Sequence, residues 1–317
     1  MQRFVRPLIA IGAAIGALLL PVQPSFAWGP EAHRTIALIA DQLLRKSDPA
    51  AHAKVLALLA TDKGDRLTKT DIASEATWAD VLREKSPEAR TATTAWHSTR
   101  LKPDSPDLAA ACFGHTPLPS GYPASHGPQN NCSVDKIAQF EAELKDQATS
   151  PAERLVALQF LLNLVGDLHD PLQAIDHADR GGKCTAVQVG SNPPMRLQTY
   201  WEQTLVHEVV GADPARGAAR LVASLPAAEL AKWASGSPQD WAQETYQIAK
   251  TVTYGFAAER PAGNASFPAR KGETGGCASV PLYRVGPDYE TKALAAVKER
   301  LTVAGVRLAA VLRDSMK

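Results

Sequence analysis

Residues 150–171 read SPAERLVALQFLLNLVGDLHDP, and this stretch carries signals for the start and the end of one long helix. Ser150 and Glu153 have the spacing of a capping box, and Pro151 stands at the first helical position. Pro171 ends the helix because proline cannot continue the hydrogen-bond ladder. The stretch therefore predicts a helix over residues 151–170.

Helical patterns recur on both sides of this stretch. Residues 30–46 carry apolar side chains at helical spacing, Ser237-Pro238-Gln239-Asp240 opens another helix, and residues 291–314 form a long amphipathic pattern. Alternating strand patterns are scarce. Three segments rich in Pro, Gly or Asn predict long loops: about 98–132, 174–195 and 259–287. We therefore expect one all-α domain over residues 28–317, with long loops tied by disulfides.

The N-terminal 27 residues have the features of a secretory signal peptide. Arg3 and Arg6 precede the apolar run of residues 8–20, and Ser25 and Ala27 fit the small-x-small cleavage rule. The alternative of an uncleaved anchor is disfavoured, because the run is short and a cleavage site follows it. We expect a periplasmic or secreted protein that begins at Trp28 and has no membrane anchor. Its free α-amine, once deprotonated, can bind a metal.

Composition describes an ordinary globular protein. In 317 residues, 45% are hydrophobic, 21% are charged and the formal net charge is +1. This charge excludes a polybasic field with a strong nonspecific grip on duplex nucleic acid. The even number of cysteines in an exported chain favours two disulfides, and three pairings stay open among Cys112, Cys132, Cys184 and Cys277. We expect at least one bridge to join distant loops, and we expect a monomer.

Several polar residues stand at spacings that place them together. Asn163 and Asp167 are four residues apart on one helix face, and so are Gln198 and Glu202. Asp80 ends the segment SEATWAD, and His97 ends TAWH. Taken singly, each acid is more often a solvated side chain and a lone histidine is more often structural. Their combination with Trp28 favours a functional reading.

The ordered set of motifs resembles the S1/P1 nuclease family, whose members are secreted zinc-dependent phosphodiesterases. The matching fragments span the mature chain: WGPEAH at 28–33, Trp78-Ala79-Asp80, Trp96-His97, NLVGDLHDPLQ at 163–173, DRGGK at 179–183, RLQTYWE at 196–202 and AGVRLA at 304–309. The resemblance implies a helical fold of the phospholipase C/P1 nuclease type. It also implies cleavage of single-stranded DNA or RNA, or removal of nucleotide 3′-phosphates.

The resemblance further implies up to three Zn²⁺ ions. Trp28 and His33 would hold one ion, and Asp167 would bridge it to a second ion that Asp80 and His97 also bind. Imidazole and carboxylate suit a Lewis-acidic ion, and a metal pair lowers the pKa of a water that attacks phosphorus. Asp80 and Asp167 would be the catalytic carboxylates. In the family a third ion neutralises phosphate charge and stabilises the leaving 3′-oxygen.

The sequence departs from the family pattern at four ligand positions, which are Asn163, Gln173, Gln198 and Glu202. The last three would form the third zinc site, and amide oxygens are poor zinc ligands. We therefore expect fewer than three ions and a weakened enzyme. Lys183 replaces the asparagine of the family's GGN and could place an ammonium near a metal or phosphate.

Few other side chains could substitute for the missing ligands. His177, in the loop after Gln173, is the one plausible substitute ligand, since His169 and His207 lie off the relevant helix faces. Trp201 is expected in the core, and Tyr200 is a weak candidate for stacking against a base. Two alternatives to a working nuclease stay open. One is an inactive family member that binds metal, nucleotide or a protein partner, and the less favoured one is an enzyme of the zinc phospholipase C type.

Overall fold

The structure is a computed structural model that describes residues 27–63, 67–119, 121–270, 273 and 275–317. The expected signal peptide, apart from Ala27, lies outside the described residues. Within the described part, no helix combines the length and apolar character needed to cross a bilayer.

The chain folds mainly into α-helices, as expected for the all-α class. In chain order these are α1 (Pro30–Ser47), α2 (Pro49–Leu59), α3 (Ile72–Glu75), α4 (Trp78–Lys85), α5 (Pro87–Thr93), α6 (Leu108–Ala111), α7 (Ser133–Lys145), α8 (Pro151–Leu168), α9 (Pro171–Ala174), α10 (Leu197–Thr199), α11 (Val206–Val210), α12 (Pro214–Ala223), α13 (Ala227–Trp233), α14 (Pro238–Ile248) and α15 (Pro287–Ser315). Short 3₁₀ turns cover Thr94–His97 and Ala124–His126, and π-helical turns cover Tyr200–Leu205 and Ala249–Thr253.

Helix α8 lies at the centre of the fold, and every residue from Ala157 to Leu168 is buried. The Ser150 hydroxyl accepts a hydrogen bond from the Glu153 amide, as the sequence predicts. The reciprocal half of the expected capping box is replaced, because the Glu153 carboxylate accepts a bond from Ser125 instead. At the start of α14 both halves are formed, between Ser237 and Asp240.

Two contacts pack the other long helices around this centre. Helix α15 crosses α1 so closely that a Cβ at Gly305 would collide with Ile39, which explains a glycine in the AGVRLA motif. Between α7 and α8, the Phe140 and Phe160 rings stack at 4.7 Å, and the Trp96 ring meets Phe160 edge-on. The core is therefore helical and continuous from α1 through α8 to α15.

A small sheet corrects the expectation that residues 174–195 and 259–287 are irregular loops. Strands β1 (Ala186–Val189), β2 (Met195–Arg196), β3 (Gly263–Phe267) and β4 (Cys277–Val285) pair in the order β2-β1-β4-β3. β1 runs parallel to β4, and the other two pairs are antiparallel. Such short strands carry almost no alternation in sequence, so their pairing depends on contacts between distant segments.

All four cysteines are paired, which confirms the two expected disulfides. Cys112 bonds Cys132 within the first long loop, and Cys184 bonds Cys277 across 93 positions. The second bridge joins two distant loops, as expected, and holds β4 beside the segment that carries Lys183.

Candidate metal centre

Five of the predicted site residues meet at one end of α8. Asn163 and Asp167 occupy the same face of that helix and are fully buried. His33 reaches them from α1, Asp80 from α4 and His97 from the 3₁₀ turn that follows α5. These residues come from four segments separated by up to 134 positions, so the cluster exists only because the helices pack around α8.

The Asp167 carboxylate lies between two imidazoles. Its Oδ2 is 2.6 Å from His97 Nδ1, and its Oδ1 is 3.2 Å from His33 Nε2. His33 Nε2 is also 3.6 Å from Asp80 Oδ2, which accepts a 3.0 Å hydrogen bond from the Asn163 amide. The four ionisable groups therefore form one connected buried cluster.

The charges of this cluster are mutually dependent. Burial alone would favour the neutral acid, but the His33 and His97 rings lower the pKa of Asp167 to about 2. Burial opposes protonation of His33, yet Asp167 and Asp80 together raise its pKa. The pKa of His97 is lowered, first by burial and then by the Arg83 guanidinium. The cluster thus presents an ionised carboxylate beside a neutral imidazole, the forms in which both groups bind a metal.

A glycine makes room for one of these rings. A Cβ at Gly166 would lie 3.0 Å from His33 Nδ1 and 3.2 Å from its Cε1. Contacts this short are rare, so a side chain at this position of α8 would push the imidazole away from Asp167. The glycine in the motif NLVGD therefore sets the position of His33.

Several donor atoms of the cluster make no hydrogen bond within the described part of the chain. They are His33 Nδ1, His97 Nε2 and Asn163 Oδ1. Buried polar atoms are almost always satisfied, so a concentration of unsatisfied nitrogen and oxygen atoms indicates a missing binding partner. Imidazole nitrogens and carboxylate oxygens are the donors that zinc prefers. These residues therefore fit the metal pair that the resemblance implies.

The position of the Trp28 main chain also supports a metal site at this cluster. The Trp28 side chain is buried, and the residue before it, Ala27, lines a cavity of about 680 Å³ that His97 also lines. Cleavage before Trp28 would place the new α-amine at this cavity wall.

The expected third ligand set does not fit a zinc ion. Gln173, Gln198 and Glu202 are all buried, and both glutamines line the cavity. Gln173 Oε1 already accepts a bond from the Arg100 guanidinium at 3.4 Å, and the Lys183 ammonium interacts electrostatically with Glu202. Two amides facing two cations are a poor environment for a divalent cation.

The cavity wall contains basic residues that the sequence reasoning missed. Besides Lys183, its lining includes Arg83, Arg100 and Arg180. Arg83 could have been found, because it follows Asp80 by three residues on one helix and its Nη1 lies 3.6 Å from Asp80 Oδ1. Arg180 lies three residues before Lys183 in the motif DRGGK, which was the available signal, whereas Arg100 had none, since only packing brings its segment to the cavity.

The remaining histidines lie outside this site. His169 is buried with its ring between the Val165 carbonyl and the Arg307 guanidinium, facing away from Asp167 as expected. His207 is exposed beside Glu31. His177 stacks on Tyr254 at 3.9 Å between ring centroids and does not line the cavity, so nothing here supports it as a substitute ligand.

A second group of ligand-type residues has a different explanation. Within the described residues, only Cys112, His115 and Asp135 place three such atoms within 4.8 Å of one another. The Cys112 sulfur is oxidised in the bridge to Cys132, and His115 Nδ1 is hydrogen-bonded to Asp135. This group therefore lacks the thiolate that a zinc site would use.

The aromatic residues near the site differ in their exposure. Trp201 is in the core as expected, but Tyr200 is equally buried, so the expectation that it could stack on a base is wrong. The π-helical turn that contains both residues directs them inward against Tyr289. Phe113 lines the cavity instead, and it is 60% exposed.

Comparisons with known proteins identify a family for this chain. A family model described as S1/P1 Nuclease matches residues 28–317. The chain is 24% identical to Endonuclease 4 of Arabidopsis thaliana over 98% of this chain and 94% of that protein. It is 25% identical to Nuclease S1 of Aspergillus oryzae, over 64% of this chain and 62% of that protein. For Nuclease P1 of Penicillium citrinum the identity is 24%, over 58% of this chain and 60% of that protein.

Proposed function

The chain belongs to the S1/P1 nuclease family, and from that premise we propose that it is an exported, metal-dependent phosphodiesterase. Its substrates are single-stranded nucleic acid or the 3′-phosphates of nucleotides. The observation that carries the proposal is the Asp167 carboxylate between His33 and His97, of which His97 lines a cavity with a basic wall. The family's hydrolysis of phosphodiester bonds and the nuclease names of the relatives favour this reading over a phospholipase C.

The metal ligands proposed are the Trp28 main chain, His33, Asp80, His97 and Asp167. When bound, a pair of divalent ions supplies Lewis acidity and makes a water acidic enough to act near neutral pH. Asp167 has one oxygen toward each imidazole, so it would hold the ions together with His33 and His97. Asn163 holds the Asp80 carboxylate in place through its amide.

The protein's own side chains bind and orient the phosphate. Arg83 is buried and pairs with Asp80, so its guanidinium is held at the cavity wall at little entropic cost. A planar guanidinium matches two oxygens of a phosphodiester. The cavity also has room for a nucleotide, and the exposed Phe113 ring lies along its wall. Bases stack on such rings without sequence preference, which suits a single-strand enzyme.

The proposal includes export. Residues 1–27 act as a signal peptide that is removed, and the family match begins at residue 28. The two disulfides suit an oxidising compartment, either the periplasm or the exterior. We propose that the mature domain of residues 28–317 acts as a monomer.

The test compares two substrates. The mature protein with added Zn²⁺ is assayed on single-stranded DNA or RNA and on a nitrophenyl phosphodiester, whose leaving group needs little stabilisation. Because the third ligand set does not fit zinc, we expect slower cleavage of the nucleic acid, by on the order of a hundred- to a thousand-fold in rate relative to an intact site. The rate of hydrolysis of the activated ester should fall much less.

Chelation and the Asp167→Asn variant should abolish turnover of both substrates. Metal-independent turnover would contradict the proposal, and zinc binding without hydrolysis of either substrate would favour an inactive family member. Rapid cleavage of single strands by the unmodified protein would show that the site is not weakened.

A further inference from the structure

The two segments that carry Arg100 and Lys183 are fastened directly to the degenerate glutamines. The main-chain amides of Thr99 and Arg100 both donate to the main-chain carbonyl of Gln173, each at 3.0 Å. The main-chain amide of Gln198 donates to the carbonyl of Gly182 at 3.1 Å, and Gly182 immediately precedes Lys183. Each cation therefore lies on a segment that is bonded to the main chain of one of the two glutamines.

The backbone of both segments adopts an unfavourable conformation. Arg100 and Arg180 have φ values of 46° and 62°, in the left-handed region that side chains rarely adopt. Gly181 and Gly182 continue this conformation, and a Cβ at Gly182 would lie 3.0 Å from the Gln198 nitrogen. Such backbone persists only where surrounding contacts impose it, and it concentrates at functional sites.

A buried carboxylate imposes the conformation of the DRGGK loop. Asp179 accepts bonds from the Gly182 amide at 3.0 Å and from the Thr185 hydroxyl at 2.7 Å. The Tyr254 hydroxyl donates to both of its oxygens, at 3.1 and 2.9 Å. With the nearby Cys184–Cys277 bridge, these bonds hold the loop rigidly and present its basic residues to the cavity.

Positive charge exceeds negative charge at this part of the wall. Burial lowers the pKa of the Lys183 ammonium most, Glu202 and Glu273 raise it, and the nearby Arg180 and Arg100 guanidiniums lower it by less. Of the two acids, Glu273 is already paired with Arg196 at 2.7 Å. The cavity lining includes Arg83, Arg100, Arg180 and Lys183 and, within the described part of the chain, no carboxylate. This surplus of positive charge indicates a site for an anion.

We propose that Arg100 and Lys183 form a metal-independent binding site for a phosphate group of the substrate, in place of a third metal ion. Arg100 supplies a planar fork that matches two phosphate oxygens, and Lys183 supplies a compact charge. The site rests on the proposed function for the identity of its natural ligand. It binds the anion directly, through side chains on segments whose main chain is held by hydrogen bonds.

The first test measures binding of inorganic phosphate to the mature protein in the presence of EDTA, by calorimetry. We expect saturable binding with a dissociation constant in the millimolar range or tighter. Lys183→Gln and Arg100→Gln should each weaken it at least tenfold, and Lys183→Arg should retain most of it. The controls Lys232→Gln and Arg216→Gln remove exposed charges elsewhere and should bind as the unmodified protein does. Thermal melting verifies that each variant is folded.

Absence of phosphate binding after chelation, or equal binding by Lys183→Gln and Arg100→Gln, would overturn the inference. The outcome is separable from that of the proposed function. Phosphate binding without hydrolysis would remove only the enzymatic proposal, and zinc-dependent hydrolysis without metal-free phosphate binding would remove only this site.

A second test counts bound zinc. The triple variant Gln173→His, Gln198→His, Glu202→Asp restores zinc-type ligands but keeps the Lys183 ammonium. We expect it to bind no more zinc than the unmodified protein, because the ammonium repels the ion. Adding Lys183→Asn should allow one further ion per chain. A gain of zinc in the triple variant alone would show that the lysine does not take the place of a metal.

Discussion

Asp167 and His97, which are 70 positions apart in the chain, share a buried hydrogen bond of 2.6 Å. The second Asp167 oxygen faces His33, so one carboxylate orients two imidazoles from different segments. In the proposed metal centre the neighbouring Asn163 is neutral, and Asp80 contacts Asn163 and Arg83.

Replacing Asp167 by Asn should therefore remove both zinc binding and hydrolysis. The amide keeps the size of the side chain but cannot neutralise a metal ion, and we expect activity to fall at least about 100-fold, as for other preorganised electrostatic groups. Zinc stoichiometry and ester hydrolysis check this, with Asp288→Asn as a control at an exposed position of α15. Unchanged zinc content in Asp167→Asn would contradict the assigned role.

Gly166→Ala should disturb the same site through His33 alone. The added methyl would lie 3.0 Å from Nδ1, so the ring must move away from Asp167. Changes that misplace a ligand typically cost 10–100-fold in metal affinity. Competition with a chromogenic chelator measures the zinc affinity. The matched control is Gly263→Ala, where a methyl group meets nothing within 4 Å, and equal losses in both variants would argue against a local effect.

An extra residue before Trp28 should weaken zinc binding. The preceding residue, Ala27, occupies the cavity wall, and an acylated nitrogen is a far poorer ligand than a free amine. Mass spectrometry of exported protein should find Trp28 at the N-terminus. Zinc affinity is then compared between this form and one that retains Ala27. Equal affinities would exclude the α-amine as a ligand.

The two disulfides should differ in their contribution to stability. The bridges close loops of 93 and 20 residues, and loop-closure entropy gives about 4.6 and about 3.3 kcal/mol for them. We expect Cys184→Ser/Cys277→Ser to lower the free energy of unfolding more than Cys112→Ser/Cys132→Ser does. Denaturant unfolding of both double variants measures this, and the reverse order would show that native contacts outweigh the entropy of the unfolded chain.

Lys136 should make the free energy of unfolding depend on pH in the alkaline range. Its ammonium is buried over the Trp96 ring and donates to the Ala124 and Gly127 carbonyls, and burial lowers its pKa to about 7 against the attraction of Glu143 and Asp135. The pKa of lysine in the unfolded chain is about 10.4. Between these values the unfolded state binds more protons, so the free energy of unfolding rises with pH.

The Lys136→Met variant should lack this rise between pH 7 and about 10, whatever its overall stability. Chemical denaturation of both proteins at several pH values gives the two slopes. Parallel profiles would show that Lys136 stays charged in the folded protein.

Much of the fold could be predicted because its signals are local. Ser150 and Pro151 mark the start of α8, Ser237 and Asp240 cap α14, and the apolar spacing of α15 appears within a few turns. The same short-range geometry placed Asn163 and Asp167 on one helix face. Helix periodicity and capping depend on neighbours within four residues, so the sequence alone determines them.

The cavity wall and the sheet were decided by tertiary structure. Arg100 comes near Lys183 because hydrogen bonds tie its segment to Gln173, and no spacing in the sequence predicts this. Pairing of β1 with β4 and of Cys184 with Cys277 likewise joins segments more than 90 positions apart. Contacts at such separations depend on how all the helices pack. The sequence therefore determined which long helices form and which polar side chains α8 carries, while the packing decided the sheet and the charges that face those side chains.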